Sequence, residues 1–141
     1  MVVSDNEVFE KKEKIKKAYA KAFNYLILVS ALGYGAMIVL SYPVFLVWLG
    51  IKYAQVSLIT IIIGIGNFVN LQTAIPFFFL AAMDRLQKAL WSAIFVVACN
   101  FAFGLIGFYF GGFYGMISGF SLSLIVPSIW FVIVGRDEVL R

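Results

Sequence analysis

Four side-chain amides, Asn67, Asn70, Gln72 and Asn100, stand in stretches that are otherwise almost wholly apolar. Asn67 and Asn70 are three residues apart and share a face if the segment is helical. Gln72 and Thr73 follow. Pro76 comes four residues after Gln72, so in a helix the Gln72 carbonyl has no N–H to receive. A carboxamide offers two donors and an acceptor oxygen. Such a set has two uses in an apolar environment. It can line a cavity that passes a hydrophilic solute, with Pro76 as the hinge beside it. It can equally bond one helix to another, at about 0.6–2 kcal/mol per bond. The residues alone leave both open.

Other chemistry is harder to build. The chain has no histidine and a single cysteine, Cys99, inside an apolar run. That removes disulfides, the Cys/His type of zinc site and the commonest general base. Asp84 is the only acid between residues 14 and 136, and Arg85 is beside it. Gly64-Ile65-Gly66 lacks the rest of any nucleotide fingerprint. No catalytic residues, metal ligands or cofactor site are expected, and the chain does not read as an enzyme.

The elements that carry the amides follow from charge placement. Between Ala22 and Gly135 only Lys52, Asp84, Arg85 and Lys88 are charged, in two short clusters. With 63% hydrophobic residues and a mean hydropathy of +1.00, the composition is that of a membrane protein, not of a soluble or disordered chain. A helix needs about 20 apolar residues to cross the bilayer core. The expected fold is therefore an all-α integral membrane protein. About four transmembrane helices form an antiparallel bundle, preceded by an amphipathic basic N-terminal helix over 1–21. The membrane domain covers 22–135 and a short tail 136–141.

The spans are expected at 22–42, 54–83, 89–109 and 113–134, with Pro43 ending the first and Gly111-Gly112 turning between the last two. The second is longer than a bilayer requires, and Pro76 is its natural kink point. The polar start before a long apolar run reads as a retained first span and not as a cleavable signal, whose core is only about 7–15 residues.

Ser4-Asp5-Asn6-Glu7 has the spacing of a capping box. Glu10 and Lys14, and Glu13 and Lys17, are spaced for i,i+4 pairing. Six lysines in this segment suit either an anionic leaflet or a solvated extension of span one. An inside placement of both termini puts ten of the eleven basic residues on the inner side and leaves only Lys52 outside. The inner loop then holds Asp84, Arg85 and Lys88. The net charge of +4 thus flanks spans and points to a lipid bilayer and not to nucleic acid. Gly107, Gly111, Gly115 and Gly119 recur every four residues, and 115–119 is a GxxxG pattern. Gly111, Gly115 and Gly119 are read as helix-packing positions.

The order of local motifs resembles a known family. Residues 16–22, Lys-Lys-Ala-Tyr-Ala-Lys-Ala, are similar to its basic lead into a span. Residues 42–54, with Trp48-Leu49-Gly50 and Tyr53-Ala54, are similar to its outer loop. Residues 80–88, Leu-Ala-Ala-Met-Asp-Arg-Leu-Gln-Lys, look like its short inner loop. Residues 110–119 resemble a Tyr-Gly-x-x-Gly turn. Taken in order, these resemble the C-terminal part of polysaccharide flippases, in the multidrug/oligosaccharidyl-lipid/polysaccharide exporter superfamily.

The resemblance implies export of lipid-linked oligosaccharide precursors across the cytoplasmic membrane by alternating access between two lobes. About four spans are fewer than that family uses. The chain is therefore expected to be a component or fragment of such a flippase, completed by a further membrane chain or by self-association. The alternative is a non-transporting scaffold, an assembly module or an inactive remnant.

Overall fold

A computed structural model describes residues 5–53, 55–83 and 86–140, all in helices or the short turns between them. The first helix, α1 (Asp5–Leu49), is one rod of 45 residues, roughly 70 Å long at ~1.5 Å per residue. The basic N-terminal segment and the first apolar stretch are continuous, with no break near residue 21. Glu13 and Lys17 pair at 3.4 Å on its exposed surface. Ser4 of the expected capping box lies outside the described residues, as does the side chain of Glu7.

The expected break at Pro43 does not occur. Pro43 lies inside α1, which runs on to Leu49. Proline removes one bond, the one the Val39 carbonyl would have received, and the rest of the ladder carries the helix past it. The Ser41 hydroxyl donates to the Ile38 carbonyl at 2.8 Å in the same turn. Gly50 is the true terminator. Its φ of 80° is left-handed, and its N–H donates to the Leu46 carbonyl at 3.1 Å. This is the conformation glycine supplies without Cβ strain at a helix C-terminus. One 3-10 turn, Ile51–Tyr53, leads toward the next helix.

That helix is interrupted. α2 (Val56–Leu71) and α3 (Ala74–Ala82) are separated by Gln72 and Thr73. The cause is Pro76, whose ring crowds the carbonyl four residues earlier and gives it no donor. The backbone tightens instead: Gln72 N–H bonds to Val69 O at 3.2 Å and Thr73 N–H to Asn70 O at 3.0 Å, both three residues back. The kink therefore sits a turn ahead of Pro76.

α4 (Leu86–Leu140) contains Gly112 at φ 58°, ψ −140°, which is not helical and which only glycine adopts readily. The chain reverses there, as the Gly111-Gly112 pair suggested, into two limbs, 86–111 and 113–140. Phe95 lies against Trp130, Asn100 against Ser123, and Gly107 against Gly115, so the limbs are antiparallel. The second limb does not end near residue 135. It stays helical to Leu140, and Val139 is buried with Tyr19, Leu80 and Phe131.

The α2–α3 pair lies between α1 and α4. Three stretches, Lys12–Leu49, Ile51–Ala82 and Leu90–Val139, are long and apolar enough to cross a membrane, and the third is the one folded at Gly112. Besides that one cluster of large side chains, many of the buried positions are small: Gly64, Gly66, Ser57, Ser92, Ser121, Ser123 and Ser128 are buried. Large apolar side chains point out, with Trp48 at 84% exposure, Tyr109 at 85% and Phe101 at 73%. A water-soluble core has the opposite arrangement.

Candidate functional site

Three of the four amides meet a serine, two of them from another helix and one from the other limb of α4. Gln72 is placed at the α2–α3 break. Its Nε2 donates to Ser30 Oγ on α1 at 2.9 Å and to the Phe68 carbonyl at 3.0 Å. Ser30 in turn donates to the Ile27 carbonyl at 3.1 Å. Gln72 is only 8% exposed, and its Oε1 is buried with no hydrogen-bond partner.

Asn70 accepts from Ser128 Oγ of α4 at 3.0 Å through Oδ1, and its backbone carbonyl takes the Thr73 hydroxyl at 2.7 Å. It lines a cavity of about 300 Å³ with Thr73, Ser92 and Ser128 among Phe77, Val96 and Phe131. Asn100 is bonded by Ser123 across the α4 hairpin. Asn67 has no such neighbour: its Nδ2 donates to the Ile63 carbonyl of its own helix at 3.0 Å.

Asn67 and Asn70 therefore share a face of α2 but make separate contacts. A fourth bridge uses no amide at all. Ser121 donates to the Ile62 carbonyl of α2 at 2.7 Å. The close approach it needs comes from Gly66, where a Cβ would lie 2.6 Å from Ser121 Oγ and 3.1 Å from its Cα. The amides were evident as lone polar groups in apolar stretches. The serines that bridge to them or to the neighbouring backbone, Ser30, Ser121 and Ser128, were not, because a serine in an apolar helix can return its hydroxyl to its own backbone.

A groove of about 630 Å³ runs along α2 and both α4 limbs. Its walls are Ile63, Phe101, Leu105, Phe108, Met116, Ile117 and Phe120, with Asn100 the one amide among them. Such a lining suits hydrocarbon and not a hydrated solute.

Among the expected packing glycines, Gly115 faces the Gly107 carbonyl and Gly119 the Phe103 carbonyl, each so close that a Cβ would overlap backbone. Gly111 differs. Nothing lies within 4 Å of a Cβ there, because the limbs have already diverged into the turn. Gly107 holds the place in the interface that Gly111 was expected to share. Pro76 is buried and faces Gly135, where a Cβ would come within 2.7 Å of the proline Cβ. Asp84, Arg85 and the Lys88 side chain lie outside the described residues. Among the described residues no group of three His, Cys, Asp or Glu side chains is placed to hold a metal.

Compared with known proteins, the chain matches no family model, no curated protein and no solved structure.

Proposed function

We propose that the chain is a multi-pass protein of the cytoplasmic membrane, crossing it four times with both termini inside. In this reading it contributes its helices to an assembly that flips lipid-linked oligosaccharide. The observation that carries the membrane part is the inverted polarity of the bundle: serines and glycines at many buried positions, large apolar side chains outside. The order of motifs in the sequence supports the transport part. Within the bundle, Asn70, Gln72 and Asn100 are bonded to serines and the groove along α2 and α4 is apolar. A hydrophilic path would therefore have to be completed by a further chain or a second copy.

The same amide–serine pairs favour a second reading, in which the chain is a non-transporting assembly module. Two experiments separate the possibilities. Single cysteines placed at Lys52 and at Lys14, in a Cys99→Ala background, are labelled in intact cells with an impermeant maleimide. Labelling at residue 52 alone supports the topology, and labelling at residue 14 overturns it. Asn67→Leu, Asn70→Leu and Asn100→Leu are then tested for glycan export. A loss of export with unchanged assembly supports a path. Export that persists at unchanged protein level leaves the module reading.

A further inference from the structure

At the basic end of the bundle a cleft of about 550 Å³ lies between α1 and the second limb of α4. Lys16 and Asn24 from α1 and Arg136 and Asp137 from α4 stand around it, with Tyr19 at its base. Its remaining walls are apolar, chiefly Phe23 and Ile133. Neither cation is within ion-pairing distance of an acid among the described residues, and Asp137 leaves the group with a net positive charge.

Tyr19 is held rigidly. Its ring stacks on Phe23 at 5.9 Å and meets Phe79 edge-on at 5.2 Å. The residue is 5% exposed, and its hydroxyl is buried without a hydrogen-bond partner. A buried donor normally has an acceptor.

We propose that this cleft binds the phosphate of an anionic phospholipid, with Lys16, Arg136 and Asn24 on the headgroup and the acyl chains against the apolar walls. The proposal rests on the membrane reading above, which puts the cleft at the inner interface. Two unpaired cations and an amide match a phosphodiester's charge and acceptors. The apolar walls select a lipid over free phosphate. Diffuse attraction of six N-terminal lysines to an anionic leaflet would not need Arg136.

The test is native mass spectrometry of the full chain in detergent, titrated with dioleoyl phosphatidylglycerol, with the phosphatidylcholine of the same chains, and with inorganic phosphate. The expected result is a preference for phosphatidylglycerol of about tenfold, most of it lost in Lys16→Gln/Arg136→Gln, given roughly fivefold per basic residue near an anionic surface. Lys14→Gln/Lys17→Gln removes the same charge outside the cleft and should retain the preference. Equal retention of the two lipids overturns the proposal, as does an equal loss in the Lys14/Lys17 variant. Binding of inorganic phosphate with the same residue dependence overturns the assignment to lipid. Alkaline-carbonate extraction of native membranes tests the membrane reading separately: a chain that stays in the pellet yet shows no headgroup preference sinks the cleft alone.

Discussion

Replacing Gly115 by alanine should separate the two limbs of α4. A Cβ at this position would lie 2.0 Å from the carbonyl oxygen of Gly107 and 3.0 Å from its carbonyl carbon. These are backbone atoms, so no rotamer change relieves the clash. Reaching ordinary contact at 3.4 Å requires the limbs to part by about 1.4 Å at this crossing. A gap of ~0.5–1 Å already forfeits a quarter to a half of each dispersion contact it opens. Overpacking of this kind costs about 1–3 kcal/mol, against which alanine recovers up to ~1 kcal/mol of helix propensity. A net loss of about 1–2 kcal/mol is expected, roughly a fivefold to thirtyfold shift in the unfolding equilibrium. The assay is reversible unfolding in mixed micelles of mild detergent and dodecyl sulfate, followed by far-UV circular dichroism. Gly111→Ala and Gly104→Ala are the controls, since nothing stands within 4 Å of a Cβ at either. If Gly115→Ala and Gly119→Ala both unfold within about 0.5 kcal/mol of the parent, as surface changes do, the close-approach argument is wrong.

Two further changes probe other parts of the bundle. Gly112→Ala forces a side chain into φ 58°, ψ −140° and should cost about 1–3 kcal/mol in the same assay, where Gly111→Ala costs little. Ser30→Ala removes one interhelical bond and should cost roughly 0.6 kcal/mol. Gln72→Leu removes that bond together with the buried, unpartnered Oε1, whose desolvation carries ~1–3 kcal/mol, so it should be neutral or stabilising. A Gln72→Leu loss above about 2 kcal/mol would show that the oxygen has a partner, such as a bound water.

The helices were largely legible because charge is so unevenly placed. Once Lys52 and the 84–88 cluster were identified as loops, the lengths of the apolar runs left little choice. The turn at Gly111-Gly112 was legible for a similar reason: consecutive glycines in a long apolar run have few other uses. Pro43 and Pro76 show the limit of that reasoning. Both are prolines in apolar helices, yet α1 runs through one and α2 tightens before the other. The local sequence holds the missing donor in both cases. Burial does not decide the outcome either: Pro43 is exposed and Pro76 is buried against Gly135, but Pro127 is also buried and the second limb of α4 runs through it. The amides were legible as unusual, but the serines that bind them were not. Their pairing needs the crossing points of helices that lie 42 and 58 residues apart in sequence.

Those crossing points explain why many of the buried positions are small. On the proposed membrane placement, burying a leucine between helices would gain little, because the tails outside would be as apolar as the interior. Association then depends on close contact and on hydrogen bonds. Gly107 with Gly115, Gly119 with Phe103, and Gly66 with Ser121 let backbones approach closely. Ser121 and Ser128, brought in by that approach, reach acceptors on α2. The α4 hairpin and its seam with α2 are built in this way. The α1 interface is different. It has the Ser30–Gln72 bond, the Tyr34–Phe68 and Tyr19–Phe79 edge contacts and Gly64 against the flexible Met37 side chain, but no glycine there faces backbone, and Gly33 and Gly35 meet nothing within 4 Å. α1 should therefore be the helix that leaves first. Hydrogen exchange in lipid nanodiscs would test this. Backbone amides of α1 near residues 30–40 should exchange ahead of those near 117–128, whose side chains are mostly buried. Equal protection along both would mean that α1 is held by something the glycine contacts do not account for.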